Sequence, residues 1–244
     1  MIDRVQGTIA RRLLVNFRVD PDVARRLLPR GFEPKLVRGY AVGGICLVRL
    51  EHERPFPLPR VLGQSSENAA HRFATFRVDE DGRRHECVYI ARRHSGSLVN
   101  IAVGGRIFPG EHRPARFAVR ETAEALEISM RGSDGLDVDL RGRSAHALPS
   151  TSVFTSLEEA SAFFRAGGLG YSETHARDVL DALRLDTLRW ELVPLEVAMV
   201  RSTYFEDRRS FPRGSVELDC ALVMTGIEHV WRREPRLRIA LRDN

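Results

Sequence analysis

Lysine is almost missing. The 244-residue sequence holds one, Lys35, among 38 basic residues, and every other basic side chain is arginine. Side-chain amine chemistry therefore has a single candidate, and anion binding falls to guanidinium groups, which stay charged and do not form imines. Cysteine is sparse as well. Cys46, Cys87 and Cys220 are odd in number, far apart and set in apolar stretches, which excludes a disulfide framework and predicts free thiols. The sequence has no His-Glu-x-x-His pair, Cys-x-x-Cys, P-loop or Gly-x-Ser-x-Gly, and its eight histidines lack ligand spacing, so no metal or cofactor is expected. Gly167-Gly168-Leu169-Gly170 follows a helix pattern and reads as a C-cap, not a dinucleotide loop. No apolar run reaches bilayer length, and Met1 to Gly7 carries no apolar leader core; the expectation is a soluble cytoplasmic protein that avoids membranes. The arginine pairs at 11-12, 25-26, 83-84, 92-93, 208-209 and 232-233 are scattered among acids, which argues against a nucleic-acid partner.

What is present is a globular composition, 43% hydrophobic and 29% charged, without a linker-like stretch or repeat. It predicts one α+β, β-dominated domain over 1-244, folding alone or as a homo-oligomer. Strands are expected at 12-19, 39-50, 69-78, 86-93, 98-104, 115-121, 125-131, 136-142, 188-205 and 215-227, with a polar tail beyond. Asp20-Pro21 starts a short helix to Leu28, and the capping box Ser156-Leu157-Glu158-Glu159 starts another that ends at Gly167. A further helix is predicted over 173-185. Pro55-Phe56-Pro57-Leu58-Pro59 must leave the sheet. The close strand spacing predicts a large curved or closed antiparallel sheet with a few packed helices.

Three segments carry polar chemistry. In Ser65-Ser66-Glu67-Asn68-Ala69-Ala70-His71-Arg72, strand periodicity puts Glu67, Ala69 and His71 on one face and Asn68, Ala70 and Arg72 on the other. A ligand site and a surface Glu67–Arg72 pair are both open. In Cys87-Val88-Tyr89-Ile90-Ala91-Arg92-Arg93-His94, the same periodicity groups Cys87, Tyr89, Ala91 and Arg93. An inward Arg93 requires either a structural carboxylate partner or an anionic ligand. Gly104-Gly105-Arg106-Ile107-Phe108-Pro109-Gly110 is either a turn presenting Arg106 to a cavity or a tight corner.

Together with Leu27-Leu28-Pro29-Arg30-Gly31-Phe32-Glu33-Pro34, these segments resemble the successive signatures of an uncharacterised family within the acetoacetate decarboxylase-like superfamily, over almost the whole chain. The resemblance implies a cone-shaped antiparallel β-barrel with a cavity and a few flanking helices. It matches Glu67 to the decarboxylase glutamate and Arg92 or Arg93 to the neighbourhood of its imine-forming lysine. The chain departs there, because that strand has no lysine, and Lys35 is expected far from it. The implied protein holds a small carboxylate, oxo-acid or polyketide-like compound without a Schiff base. Glu67, His71 and Arg93 are the catalytic candidates; Asn68, Arg72, Tyr89, Arg92, His94 and Arg106 are the substrate-binding ones. A lyase-like enzyme performing hydration, dehydration, cyclisation or an aldol-type step and a non-catalytic anion binder both fit. A third reading is an interaction module whose polar loops meet a protein partner.

Overall fold

In the computed structural model, residues 2–122, 125–176 and 178–239 are described. The first strand, β1 (Arg4–Val19), leads into α1 (Pro21–Leu27), whose cap is Asp20 accepting from the backbone of Asp22 and Val23. Short strands β2 (Phe32–Pro34) and β3 (Leu36–Val37) precede the long β4 (Tyr40–Pro55), a 3-10 turn at Arg60–Leu62, β5 (Gln64–Val78) and β6 (Arg84–Ser95). After α2 (Leu98–Val103) come β7 (Arg113–Glu121), β8 (Leu126–Gly132) and β9 (Asp137–Ser144). The chain continues through α3 (Leu157–Ala166), β10 (Leu169–Glu173), β11 (Val179–Thr187), β12 (Val193–Ser202), α4 (Thr203–Glu206) and β13 (Val216–Arg238). No helix among the described residues is long and apolar enough to cross a membrane.

The strands close on themselves twice. One circuit runs β13-β1-β4-β5-β6-β10-β11 and returns to β13; the other runs β6-β7-β8-β9-β12-β13-β1-β4-β5 and returns to β6. Both circuits use β13, β1, β4, β5 and β6, which form a wall with a packed interior on each side. Leu13, Val15, Ile45, Leu47, Ala69 and Phe73 face one interior, and Ile9, Leu14, Cys46, Leu50 and Ala74 the other. The period-two alternation of strands delivers this sorting directly.

The pairing is antiparallel except where β10 and β7 each run parallel to β6. A helix lies between β6 and β7, the kind of crossover that parallel entry requires. Residues 98–103, expected as strand, are helix α2: the Ser97 side chain accepts the Asn100 N–H, and Leu98 and Val99 are turned outward. Residues 173–185, expected as helix, instead complete β10 and form most of β11, because β11 closes the first circuit by pairing with both β10 and β13. Tertiary pairing overrides the helical preference of Ala-Leu-Arg-Leu. The expected polar tail is strand to Arg238; residues 240–244 lie outside the described ones.

Leu13 is fully buried in the shared wall, whereas Leu188 is 87% exposed. Leu13→Ala is expected to lower the unfolding free energy by about 2–5 kcal/mol in urea titrations, against about 0.5 kcal/mol or less for Leu188→Ala.

Candidate functional site

The interior of the first circuit is partly empty. A cavity of 260 Å³ remains there, near the lower end of the size range of small-ligand pockets. Its lining takes in residues of α2 and of the segment from Gly104 to His112, together with Phe163 and Phe164 of α3 and Trp190. The wall is a grid whose rows follow the strand register. Arg12, Val48 and Asn68 form one row; Leu14, Cys46, Ala70 and Arg93 the next; Asn16, Gly44, Arg72 and Ile90 the third. Cys46 and Ala70 are the small residues at the centre, and Arg12, Arg72 and Arg93 surround them.

Arg93 arrives there through an irregularity. The β5–β6 register places His71 opposite Arg92 but Arg72 opposite Ile90, so Ala91 is an extra residue, a β-bulge. Simple alternation groups Arg93 with Tyr89 and Ala91; the bulge instead aligns Arg93 with Val88 and Ile90 on the cavity face. Tyr89 and Arg92 share the opposite face, where both bind the Glu173 carboxylate at 2.5 and 2.9 Å.

Of the four arginines lining the cavity, Arg54 donates to the Leu58 and His52 carbonyls; none of the other three has a carboxylate within 4 Å among the described residues, and each keeps one buried N–H without an acceptor: Arg12 Nη1, Arg72 Nε and Arg93 Nε. Arg12 donates from Nε to Cys46 Sγ at 3.4 Å and lies over the Trp190 ring. Arg72 reaches across Gly44 to Asn16 Oδ1 at 2.8 Å and packs on the Phe164 ring. The Arg93 side chain makes no hydrogen bond among the described residues. Burial pushes Arg72 and Arg93 down to about 10, which leaves both charged at neutral pH. Asp181 offsets part of this for Arg93, but its oxygens are taken by the Gly110 N–H and Arg236. Gly110, at φ +96, lies against Arg93; a Cβ there would come within 3.2 Å of the guanidinium carbon.

Amides, Glu53 and the paired Lys35 and Glu86 complete the polar lining. Asn68 donates to Ser66 and accepts from Ser95, and Asn100 bridges from α2 to Gln64 and Ser66. Glu53 borders the cavity with His229 Nε2 at 3.9 Å, and neither ring nitrogen of that buried histidine has a hydrogen bond among the described residues. His112 is held neutral, its pKa lowered to about 3 by burial and secondarily by Arg93, with Nδ1 unpaired. The set can hold an anion over Ala70 and Cys46 and offers Glu53 for proton transfer.

Of the nine residues nominated from the sequence, Asn68, Arg72 and Arg93 line this cavity. Glu67 lies across the wall, bound by Arg11 at 2.8 Å and Arg49 at 3.4 Å, so the expectation that it reaches Arg93 is corrected. It does not pair with Arg72 either. His71 is fully buried on that same far face, with Nε2 3.3 Å from Ser202 Oγ and its ring against Tyr204. His94 binds Asp134 at 2.9 Å, beside His71. Tyr89 and Arg92 are held by Glu173, and Arg106 is exposed, donating to the Ala102 carbonyl. Lys35 is also corrected: it borders the cavity, 2.8 Å from Glu86 at the start of β6 and over the Phe163 ring. Sequence reading missed Arg12, Glu53, Asn100, His112 and His229. Arg12 alternates with Leu14 along β1 and could have been found by phase; Glu53 carries no local signal.

No family model matches the chain, and no curated protein matches it. Solved structures do. Acetoacetate decarboxylase from Legionella pneumophila superimposes with a TM-score of 0.63 at 11% identity, over 97% of this chain and 87% of that one. An acetoacetate decarboxylase-like enzyme from Sphingomonas wittichii RW1 gives 0.60 at 12%, over 98% and 94%. The enduracididine biosynthesis enzyme MppR, solved with pyruvate, gives 0.58 at 11%, over 97% and 90%. The chain thus has the acetoacetate decarboxylase-like fold. Among the described residues no cluster of three or more His, Cys, Asp or Glu side chains is placed to hold a metal ion.

Burial lowers His71, like His112, to about 3. The unfolded chain takes up these two protons below about pH 6.5 while the folded one refuses them until about pH 3, so stability present above pH 6.5 is lost as pH falls through this window. His71→Gln is expected to remove about 1.4 kcal/mol per pH unit from the slope of unfolding free energy between pH 6 and 4, read from urea titrations. An unchanged slope would show that His71 already takes up its proton in the folded state.

Proposed function

We propose that the cavity binds a small carboxylate or 2-oxo acid through Arg93 and catalyses a proton-transfer step on it, of the hydration, dehydration, cyclisation or aldol type, without an imine. The observation that carries this is Arg93 itself: a charged, partly buried guanidinium in the cavity wall whose side chain has, among the described residues, no hydrogen bond and no carboxylate within 4 Å. A cation withdrawn from bulk water without a counter-ion is costly, and a ligand carboxylate would offset that cost. Glu53 takes the proton-moving role that the sequence assigned to Glu67. The adjacent apolar wall of Val48, Leu50, Val88 and Ile90 suits a short carbon skeleton and limits water. Arginine cannot supply the amine of a Schiff base. Lys35, the one side-chain amine, makes contacts suited to an ammonium ion, with Glu86 and the Phe163 ring.

A non-catalytic binder is the second reading, favoured by the position of Glu67 and His71 on the face away from Arg93. Pyruvate is a suitable probe, since a fold neighbour was solved with it. Arg93→Ala is expected to weaken pyruvate binding by about 1.5–3 kcal/mol in calorimetry, the scale of a charge-assisted hydrogen bond. NMR of pyruvate in D2O should show its methyl protons exchanging in the presence of the wild-type protein and not with Glu53→Gln, at similar affinity. Binding without exchange would select the binder. Borohydride with pyruvate should leave the protein mass unchanged; an adduct on Lys35 would overturn the imine-free mechanism.

A further inference from the structure

The three cavity arginines exceed what one carboxylate needs. Of the other charges on the lining, Lys35 pairs with Glu86, and the partly exposed Arg54 is turned to the Leu58 and His52 carbonyls. Glu53 is the remaining acid, and His112 is neutral. With Arg54 held by those carbonyls, Arg12, Arg72 and Arg93 against Glu53 leave two positive charges unmatched in the interior among the described residues.

The guanidiniums also occupy different parts of the wall. Arg93 is on β6, beneath the Gly110 turn. Arg12 and Arg72 converge on Cys46 from β1 and β5, over Trp190 and over Phe164 of α3, and Arg12 adds to the lowering that burial imposes on Arg72. Cys46 and Arg93 are separated by one intervening strand, so their backbones lie about 10 Å apart. Arg72 is 4% exposed, its Nε lacks an acceptor, and no acid balances it. Two anion-binding poles thus flank the small residues Cys46 and Ala70.

We infer that the ligand is a short dicarboxylate, one carboxylate on Arg93 and the other between Arg12 and Arg72. This rests on the reading of the cavity as an oxo-acid site and narrows its substrate class. A dianion matches the two charges that Arg12, Arg72 and Arg93 leave against Glu53, and the span across Ala70 and Cys46 suits two groups joined by a few carbons. A compact dianion such as phosphate would satisfy one pole and leave the other unmatched.

The test compares two acids with the same five-carbon chain, 2-oxoglutarate and 2-oxovalerate, with inorganic phosphate as the third arm, by calorimetry. The inference expects 2-oxoglutarate to bind at least about tenfold tighter than 2-oxovalerate, and phosphate to bind weakly. Arg72→Met and Arg12→Met should each drive the affinity ratio of the two acids towards one. The ratio is insensitive to general loss of affinity, and the partly accessible Arg12 gives a second variant should Arg72→Met fail to fold. Equal binding of the two acids would overturn the dicarboxylate while leaving the carboxylate site intact. Phosphate matching 2-oxoglutarate would also overturn it. Binding of none of the three would remove the oxo-acid reading and this inference together.

Discussion

Five strands of this protein are enclosed on both faces over much of their length, and the site follows from that constraint. A strand offers alternate side chains to its two faces, and when both faces are enclosed each residue is committed to one interior or the other. Asn68, Ala70 and Arg72 enter the cavity, while Glu67, Ala69 and His71 enter the second core. A one-residue shift would exchange the two sets and bury Glu67 beside Arg93. The shared wall thus fixes which charges meet.

Each interior handles charge differently. Across the wall, ionic groups are paired: Glu67 with Arg11 and Arg49, Arg92 with Glu173, Asp134 with His94 and Arg113. Inside the cavity the arginines keep unpaired N–H groups, resting on aromatic rings, an amide and a thiol. Burying a cation without a counter-ion costs stability, so these positions are expensive as architecture alone. Their cost is consistent with a site that is completed by an anion.

Most of the strand framework was legible because its signals are local: the β-branched and apolar alternation of β1, β4 and β5, the proline-rich exit at Pro55, the capping box before α3. The phase of β5 was read correctly as well. Its relation to β6 was not, since the bulge at Ala91 is set by pairing with β5 and leaves no mark in the residues themselves. Likewise, α2 was hidden because Leu-Val-Asn-Ile-Ala-Val has the composition of a strand and only its Ser97 cap and outward leucine distinguish it. Arg12 looked like half of a surface pair, and Glu53 and His229 lie 176 residues apart in a chain that only the β13–β1–β4 pairing brings together. Long-range register, which decides these contacts, is not written in short windows.

Gly110 has a bearing on how such a pocket can diversify. Its backbone conformation, at positive φ, and the 3.2 Å approach of a would-be Cβ to the Arg93 guanidinium mean that any other residue strains the turn and presses on the cation. The position therefore acts as a set-screw for the depth of Arg93 in the cavity. Lineages that keep glycine there retain a seated guanidinium; one that gained a side chain would shift the charge towards the ligand and retune chain-length preference without altering any group that touches it.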